Sequence, residues 1–326
     1  MSHYLVTGAA GFIGSRTSTM LIEQGHTVVG VDNMNDAYDP RMKDYRLKRL
    51  QALSGFEFVR ADISDKGILQ RKSALTNRRF DGVINLAARA GVRFSVENPW
   101  VFLESNVMGT LNMLELCRHS GCKKFIIAST SSIYGENPEY PTPETASSSE
   151  PMQPYAASKK GAEALAHSYH HLFDIDVTVV RYFTVYGPAG RPDLAIFRFV
   201  KWIMEGEPIR INGDGNQSRG FTYVDDIARG TIAALKPLGY EIINLGGHEV
   251  ISINGLVDLI EDLTGKKANV QYGPPNLADM FMNQANVTKA REMLGWNPQV
   301  NLREGIGNLI DWYKAERSWA KDILTP

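Results

Sequence analysis

Residues 4–14 have the sequence Tyr-Leu-Val-Thr-Gly-Ala-Ala-Gly-Phe-Ile-Gly, in which a short apolar run is followed at once by three glycines. The residues after these glycines have helical spacing, so the segment predicts a strand, a tight turn and a helix. Glycines in that context let the backbone approach a pyrophosphate closely, and the first N–H groups of the helix attract its charge. The segment therefore predicts a dinucleotide site. The residues expected to line it are Gly8, Gly11, Phe12, Ile13 and Gly14.

Short β-branched runs alternate with longer helical patterns over roughly the first 180 residues. The predicted strands are residues 4–7, 27–31, 57–59, 82–85, 124–128 and 176–181. This alternation implies right-handed crossovers and a doubly wound parallel sheet, which is a Rossmann-like α/β fold. We expect residues 1–181 to form this domain and residues 182–326 a smaller α/β lobe. Parts of residues 215–250 are expected to pack back on the first domain.

The composition predicts a globular protein with a small-molecule partner. Hydrophobic residues make up 43% of the 326 positions and charged residues 22%, which is enough for a sizeable core. The 35 Lys and Arg residues nearly balance the 36 Asp and Glu residues, so no net field attracts nucleic acid or a membrane. The chain has no signal-like start and no 18-residue apolar run, which predicts a cytoplasmic protein. Cys117 and Cys122 are expected to be buried free thiols.

Asp32 ends the second predicted strand. A carboxylate there accepts hydrogen bonds from the adenosine ribose hydroxyls and repels a 2′-phosphate, so we expect NAD rather than NADP. Arg41 and Lys43 nearby would weaken that preference. The basic segment 41–49 as a whole predicts a helix with a solvated charged face rather than a nucleic-acid contact.

Two pairs of residues with i, i+4 spacing lead to different functional predictions. Tyr155 and Lys159 begin a predicted helix, where the ammonium would lower the pKa of the phenol and let it act as a general base. Most such pairs are only a packed ring beside a solvated ammonium, so this interpretation depends on the rest of the chain. His167 and His171 lack an obvious third ligand, and no metal is expected.

The order of the motifs resembles the extended short-chain dehydrogenase/reductase family, specifically its nucleotide-sugar epimerases, dehydratases and decarboxylases. The glycine turn, Asp32, Asn85-Leu-Ala-Ala88, Ser129-Thr-Ser-Ser132 and the Tyr155 pair occur here in the family's order. The resemblance implies that Tyr155 takes the proton of a sugar 4-hydroxyl and that Thr130 hydrogen-bonds the same oxygen. It also implies that Lys159 binds the nicotinamide ribose. The further cofactor contacts that it implies are Asn33, Asp62, Ile63, Leu86, Ala87 and Ala88.

The resemblance also narrows the reaction. Dehydratases resemble Thr-Asp-Glu and decarboxylases Thr-Ser-Glu where this chain has Thr130-Ser131-Ser132. Without an acid at Ser132, the simplest course for the 4-keto sugar is return of the hydride to its other face. Thr184 and Arg191 are similar to their counterparts in the UDP-glucuronate 4-epimerases. The implied reaction converts UDP-glucuronate to UDP-galacturonate; a decarboxylase, a UDP-glucose 4-epimerase and a non-catalytic NAD sensor stay as alternatives.

The implied substrate contacts divide into two groups. For the uronate carboxylate they are Thr130, Ser131, Ser132, Thr184 and Arg191, although Arg191 could instead pair with Asp193 in a loop. For the nucleotide end they are Arg219 at the diphosphate and Asp279 at the uridine ribose. The alternative for Arg219 is a surface strand charge. Residues 279–286 also depart from the Asp-Val-Pro-x-Thr-x-Ala-Asp pattern of related sequences. A homodimer through helices near residues 99–117 and 155–171 is expected from the same resemblance.

Overall fold

The computed structural model of the protein describes residues 1–136, 138–274 and 282–325. The strands in these ranges are β1 (His3–Thr7), β2 (Thr27–Asp32), β3 (Phe56–Arg60), β4 (Gly82–Asn85), β5 (Lys124–Thr130), β6 (Asp176–Tyr182), β7 (Thr184–Tyr186), β8 (Pro208–Asn212), β9 (Ser218–Tyr223), β10 (Tyr240–Leu245), β11 (Glu249–Ser252) and β12 (Asn269–Gly273). The helices are α1 (Phe12–Glu23), α2 (Arg41–Gln51), α3 (Ile68–Arg71), α4 (Ser73–Thr76), α5 (Val92–Glu97), α6 (Trp100–Phe102), α7 (Gly109–Ser120), α8 (Pro154–Phe173), α9 (Ala195–Glu205), α10 (Val224–Ala233), α11 (Ile253–Thr264), α12 (Thr288–Leu294) and α13 (Leu302–Ala320). A π-helical segment (Leu103–Met108) precedes α7, and a 3-10 turn (Ser131–Tyr134) follows β5.

Seven parallel strands form the central sheet in the order β10-β6-β5-β4-β1-β2-β3. The first six strands along the chain are those predicted from the sequence, and the Rossmann-like fold class is confirmed. β4 and β5 are buried over their whole length, as expected for strands covered by helices on both faces. The strand order reverses between β1 and β4. Ligands of such sheets bind in the crevice at the carboxyl ends of these strands.

The seventh strand comes from the second half of the chain. β10 pairs with β6 in parallel register, from Tyr240 opposite Val177 to Leu245 opposite Tyr182. α10 also contacts the first half of the chain, through the ion pair of Asp225 with Arg16 on α1 at 2.7 Å. β6 ends at Tyr182, one residue beyond the expected boundary. The division into residues 1–181 and 182–326 stays a prediction.

The smaller lobe has its own apolar core. A sheet of order β11-β9-β7 and the pair β12-β8 lie with α9, α11 and α13. Phe197, Leu256, Ile306 and Tyr313 are buried at their centre. This lobe holds β7 and the loop after it against the carboxyl edge of the large sheet, since β7 pairs with β9.

The structure corrects the prediction for the basic segment 41–49. The helix forms, but Lys43 and Arg46 are only 6% and 3% exposed, while Lys48 and Arg49 face solvent. Buried cations need partners. Lys43 pairs with Asp32, and Arg46 donates to backbone carbonyls of distant loops. These acceptors are remote in sequence, so helical periodicity could not reveal an inward-facing charge.

Cys117 and Cys122 are free and buried, as predicted. Hydrogen bonding to Cys122, together with burial, holds the pKa of Cys117 well above its usual value, so this thiol stays protonated at neutral pH. As for the helices in the three described ranges, none is long and apolar enough to cross a membrane.

A buried ion pair fastens α8 to the sheet. Arg181 on β6 donates to the Glu163 carboxylate through Nε at 3.0 Å and through Nη2 at 2.8 Å. Ser129 on β5 donates to the same carboxylate at 2.6 Å. Both charged side chains are 2% exposed, so Arg181 depends on Glu163 for compensation, whereas Glu163 has a second, longer ion pair with the half-exposed Lys160 at 3.6 Å.

Replacing Arg181 by Met should lower the free energy of unfolding by about 3 kcal/mol, because the buried Glu163 then loses the partner that donates to both its oxygens and keeps only the longer ion pair with Lys160 at 3.6 Å. The control is Arg303→Met, which breaks an ion pair with Asp262 whose side chains are 60% and 62% exposed. That change should cost less than about 1 kcal/mol. Urea unfolding followed by tryptophan fluorescence measures both. Equal losses for the two variants would contradict the assignment.

Candidate active site

A cavity of about 440 Å³ lies at the carboxyl edge of the large sheet, against the start of α8 and the loop after β7. It brings together nearly all the residues predicted from the sequence. Those that line it are Gly8, Gly11, Phe12, Ile13, Gly14, Asp32, Asn33, Asp62, Ile63, Leu86, Ala87, Ala88, Thr130, Ser131, Ser132, Tyr155, Lys159, Thr184 and Arg191. Their individual binding roles stay predictions.

Two predicted residues are not in this group. Arg219 is among the described residues but outside the cavity lining; its guanidinium donates to the Ser218 carbonyl at 2.8 Å. Its charge also acts on Tyr140, whose pKa is raised by burial and lowered by Arg219. Contact between Arg219 and a diphosphate therefore stays a prediction. Asp279 lies outside the described residues.

The glycine turn has no room for side chains. A Cβ on Gly8, whose φ is +69°, would lie 2.8 Å from the Ala87 nitrogen, and one on Gly14 would lie 2.1 Å from the Gly8 oxygen. Gly11 caps α1 without any side-chain acceptor for the first N–H groups of the helix. A bare backbone turn with helix N–H groups at its end suits a phosphate, and the residues present fit the diphosphate of a dinucleotide.

Asp32 is oriented by three donors at the end of β2. Met34 N donates to Oδ1 at 2.8 Å, Ala10 N to Oδ2 at 3.2 Å and Lys43 Nζ to Oδ1 at 3.1 Å. Lys43 thus lines the cavity but has its charge balanced by Asp32. Arg41 turns away and pairs with Asp39. Of the two cations expected to weaken the preference for NAD, only Lys43 adjoins the cavity.

Tyr155 lies in the first turn of α8, directly after Pro154, which is well suited to the first helical position. Its ring packs edge-on against Phe102, with ring centroids 6.0 Å apart. Burial raises the pKa of Tyr155, whereas hydrogen bonding with Thr130 and the positive charge of Arg191 lower it. The phenol therefore adjoins a hydroxyl group and lies within electrostatic reach of a guanidinium.

Lys159 lies one helical turn further and is 5% exposed. Its ammonium donates to the Ala128 carbonyl of β5 at 2.9 Å. Burial lowers the pKa of Lys159 to about 8, although the charge of Glu163 raises it. In this structure the charge found to lower the pKa of Tyr155 is that of Arg191, so a direct effect of Lys159 on the phenol stays a prediction.

The hydroxyl cluster after β5 is held by its own hydrogen bonds. Thr130 Oγ1 accepts from Ser132 N at 3.2 Å and donates to Ser132 Oγ at 3.2 Å. Asn283 donates from Nδ2 to Ser131 Oγ at 3.2 Å and also lines the cavity. Asn283 is not among the residues predicted from the sequence. Its one signal was its place in residues 279–286, where the chain departs from the pattern of related sequences.

Arg191 forms the ion pair weighed as its alternative role, and its contact with a sugar carboxylate stays a prediction. It forms an ion pair with Asp193, with Nε to Oδ1 at 3.0 Å, and it lines the cavity. Its guanidinium lies 5.8 Å from the ring centroid of Tyr38, another lining residue not predicted from the sequence. Burial lowers the pKa of Arg191 and the Asp193 carboxylate raises it, with a net rise above the usual value. The residue therefore keeps its charge.

A diphosphate cradle facing a phenol and an arginine across one cavity defines the class of Rossmann-fold enzymes that carry out redox chemistry on a bound small molecule. Comparison with known proteins narrows this class. The model of the NAD dependent epimerase/dehydratase family matches residues 4–246, and the chain belongs to that family.

Several relatives are similar over nearly the whole chain. UDP-glucuronate 4-epimerase of Thermodesulfobacterium geofontis is 52% identical over 325 residues, covering 99% of each chain. The crystal structure of UDP-glucuronic acid 4-epimerase from Bacillus cereus with UDP-glucuronic acid and NAD has a TM-score of 0.87 at 37% identity, covering 96% of this chain and 99% of that one. UDP-glucose 4-epimerase of Thermotoga maritima, solved with UDP-glucose, has a TM-score of 0.89 at 34% identity, covering 97% and 99%.

Charge changes around Arg191 should move the pKa of Tyr155 in opposite directions. Arg191→Ala removes the nearby cation and should raise this pKa. Asp193→Asn leaves the cation uncompensated and should lower it. An NMR titration of ¹³Cζ-labelled tyrosines measures both, with the Tyr155 signal assigned from Tyr155→Phe and Arg303→Ala as the surface control. Shifts of the same sign in the two variants would contradict the coupling.

Proposed function

We propose that this protein is an NAD-dependent isomerase that interconverts UDP-glucuronate and UDP-galacturonate by epimerisation at C4 of the sugar. The observation that carries the proposal is the position of Tyr155, next to Thr130 and within electrostatic reach of Arg191 on one cavity. The 52% identity to a UDP-glucuronate 4-epimerase over 99% of both chains supports the substrate.

The glycine turn and Asp32 would hold NAD at the carboxyl ends of β1 and β2, and Asn33, Asp62 and Ile63 would contact its adenosine end. When bound, NAD would supply the hydride acceptor for C4 of the sugar and the hydride donor for its opposite face, so the reaction would have no net redox change. Lys159, buried beside Ala128, is proposed to contact the nicotinamide ribose.

Tyr155 acts as the general base and then the general acid for the sugar 4-hydroxyl. Its phenolate accepts that proton during oxidation and returns it during reduction, while the Thr130 hydroxyl hydrogen-bonds the same sugar oxygen. Arg191 favours the ionised phenol because it lowers the pKa of Tyr155 against the effect of burial. The same two side chains therefore serve both halves of the reaction.

The carboxylate of the substrate creates a hazard once C4 is a ketone. A β-keto acid loses carbon dioxide when its carbon–carboxylate bond lies perpendicular to the carbonyl plane, so an epimerase must hold the carboxylate out of that alignment. We assign this task to the guanidinium of Arg191, with hydroxyls of Thr130, Ser131, Ser132 and Thr184. Ser132 also leaves this position without an acidic group for dehydration or decarboxylation chemistry.

We also propose that the protein acts as a homodimer in the cytoplasm. Two cysteines in the free state suit a reducing compartment. Large apolar side chains cluster on the surface of α5, α6 and the π-helical segment, where Val96 is 64%, Trp100 72% and Leu103 43% exposed. Such a patch is typical of a protein–protein contact. Sedimentation analysis of the wild type tests the dimer, and a monomer at micromolar concentration would contradict it.

One incubation tests the proposed reaction. The protein with NAD and UDP-glucuronate should form UDP-galacturonate, detected by ¹H NMR of the sugar. Tyr155→Phe should slow this conversion by at least about 100-fold, because the proton acceptor is lost, and should still bind UDP-glucuronate. Formation of UDP-xylose would indicate a decarboxylase instead. Turnover of UDP-glucose without turnover of UDP-glucuronate would overturn the proposed substrate.

A further inference from the structure

We propose that Arg46 is a positioning residue for substrate recognition. It lies on α2, outside the cavity lining, and fixes the loop that carries Arg191. How firmly a sugar carboxylate is held then depends on a side chain that does not touch the sugar. This inference rests on the proposed function, because it takes a uronate to be the ligand of Arg191.

Three of the five side-chain hydrogen bonds of Arg46 go to the residues directly before Arg191. Its side chain is almost fully buried, and Nε and Nη2 donate to the Ala189 carbonyl at 2.9 Å and 2.7 Å. Nη2 also donates to the Gly190 carbonyl at 3.0 Å. Three hydrogen bonds thus fix the two peptide groups that lead into Arg191.

The other edge of the same guanidinium faces the cofactor side of the site. Nη1 donates to the Tyr38 hydroxyl at 2.7 Å and to the Ala10 carbonyl, in the glycine turn, at 3.3 Å. The Tyr38 ring centroid lies 5.5 Å from the Arg46 guanidinium and 5.8 Å from that of Arg191. Arg46 therefore sets the distance between the glycine turn and the Arg191 loop, with Tyr38 between the two arginines.

The loop needs such a contact because its backbone is intrinsically unfavourable. Ala189 has a φ of +51°, in the left-handed region that alanine avoids, and Gly187 has a φ of +149°. Conformations of this kind persist when the surrounding structure imposes them. Gly187 and Gly190 have no side chains with which to anchor the segment. The Arg46 guanidinium constrains the segment instead, because it donates to the Ala189 and Gly190 carbonyls.

The charge of Arg46 is not used in an ion pair. Its hydrogen-bond acceptors are three carbonyls and a phenol, and no carboxylate of residues 1–136, 138–274 or 282–325 lies within ion-pair distance of it. Burying a guanidinium without a countercharge is costly. What arginine offers in return is a planar array of donors that reaches several acceptors at once, which a lysine ammonium cannot reproduce.

Arg46→Lys is therefore the informative change, since it keeps the positive charge and removes the fork. Misplacing a recognition group by about 1 Å can cost up to about 100-fold. We expect the Kd for UDP-glucuronate to rise at least about tenfold and the Kd for UDP-glucose, which has no carboxylate, to change less than about threefold. NAD affinity should change little, because only the 3.3 Å hydrogen bond to Ala10 and a ring contact with Phe12, at 5.8 Å from its centroid, reach the dinucleotide side.

Calorimetric titration of the full-length, NAD-loaded protein with each UDP-sugar measures these constants without requiring turnover. The matched control is Arg49→Lys on the same helix, since Arg49 is exposed and contacts only the Tyr45 ring among the described aromatic groups. It should leave both constants unchanged. Arg191→Ala is the reference for full loss of the carboxylate contact, and thermal unfolding reports the stability of each variant.

The outcomes distinguish failure of the proposed function from failure of the inference about Arg46. A wild-type protein that binds UDP-glucuronate no better than UDP-glucose overturns the proposed function and this inference together. A selective wild type with Arg46→Lys indistinguishable from Arg49→Lys overturns this inference alone, as does an equal loss for both sugars and NAD. If Arg46→Lys does not fold, Tyr38→Phe is the second variant, since it removes one hydrogen-bond acceptor of the Arg46 guanidinium. It should reduce the affinity for UDP-glucuronate about two- to fivefold and leave the affinity for UDP-glucose unchanged. An unchanged affinity for UDP-glucuronate would overturn the inference.

Discussion

The close approach of three backbone segments at the carboxyl edge of the sheet sets the geometry of the whole site. The glycine turn lies so near the end of β4 that a Cβ on Gly8 would stand 2.8 Å from the Ala87 nitrogen. The Thr7 hydroxyl bridges the same junction, since it accepts from Ala87 N at 3.1 Å and donates to Asn85 Oδ1 at 2.6 Å. This contact fixes β1, β4 and the start of α1 relative to one another.

Around it the chain buries several cations, and each is compensated differently. Lys43 has a carboxylate partner, and Arg46 has only neutral acceptors. Lys159 donates to a backbone carbonyl, and burial lowers its pKa to about 8. The cavity lining carries Lys43, Lys159 and Arg191 beside Asp32, Asp62 and Asp193, so charge complementarity to a diphosphate or a carboxylate depends on where single side chains lie and not on a net positive field. The electrostatics of the site thus come from a few buried side chains rather than from the overall charge.

The sequence was informative wherever the signal was local. Buried β-branched runs identified β1 to β6, and the order of motifs around Gly8, Thr130 and Tyr155 indicated the lining of the cavity. β10 was not predicted as a strand, because Glu241 and Asn244 interrupt its apolar run and only the tertiary contact with β6 reveals the pairing. The inward orientation of Arg46 was missed for the same reason. Its acceptors at Ala10 and Ala189 belong to other segments of the chain, and helical spacing alone places a charged residue in solvent.

The ion pair between Arg191 and Asp193 is compatible with the proposed contact between Arg191 and the sugar carboxylate. Asp193 accepts from Nε and Nη2, which form one edge of the guanidinium. An arginine has five N–H donors, so the Nη1 edge is not used by Asp193 and can address a second carboxylate in the same plane. Asp193 restricts the rotation of the guanidinium and so presents that edge in a fixed direction. The guanidinium also lies over the Tyr38 ring, 5.8 Å from its centroid, so the proposed contact would hold a uronate in one orientation while the charge of Arg191 still acts on Tyr155.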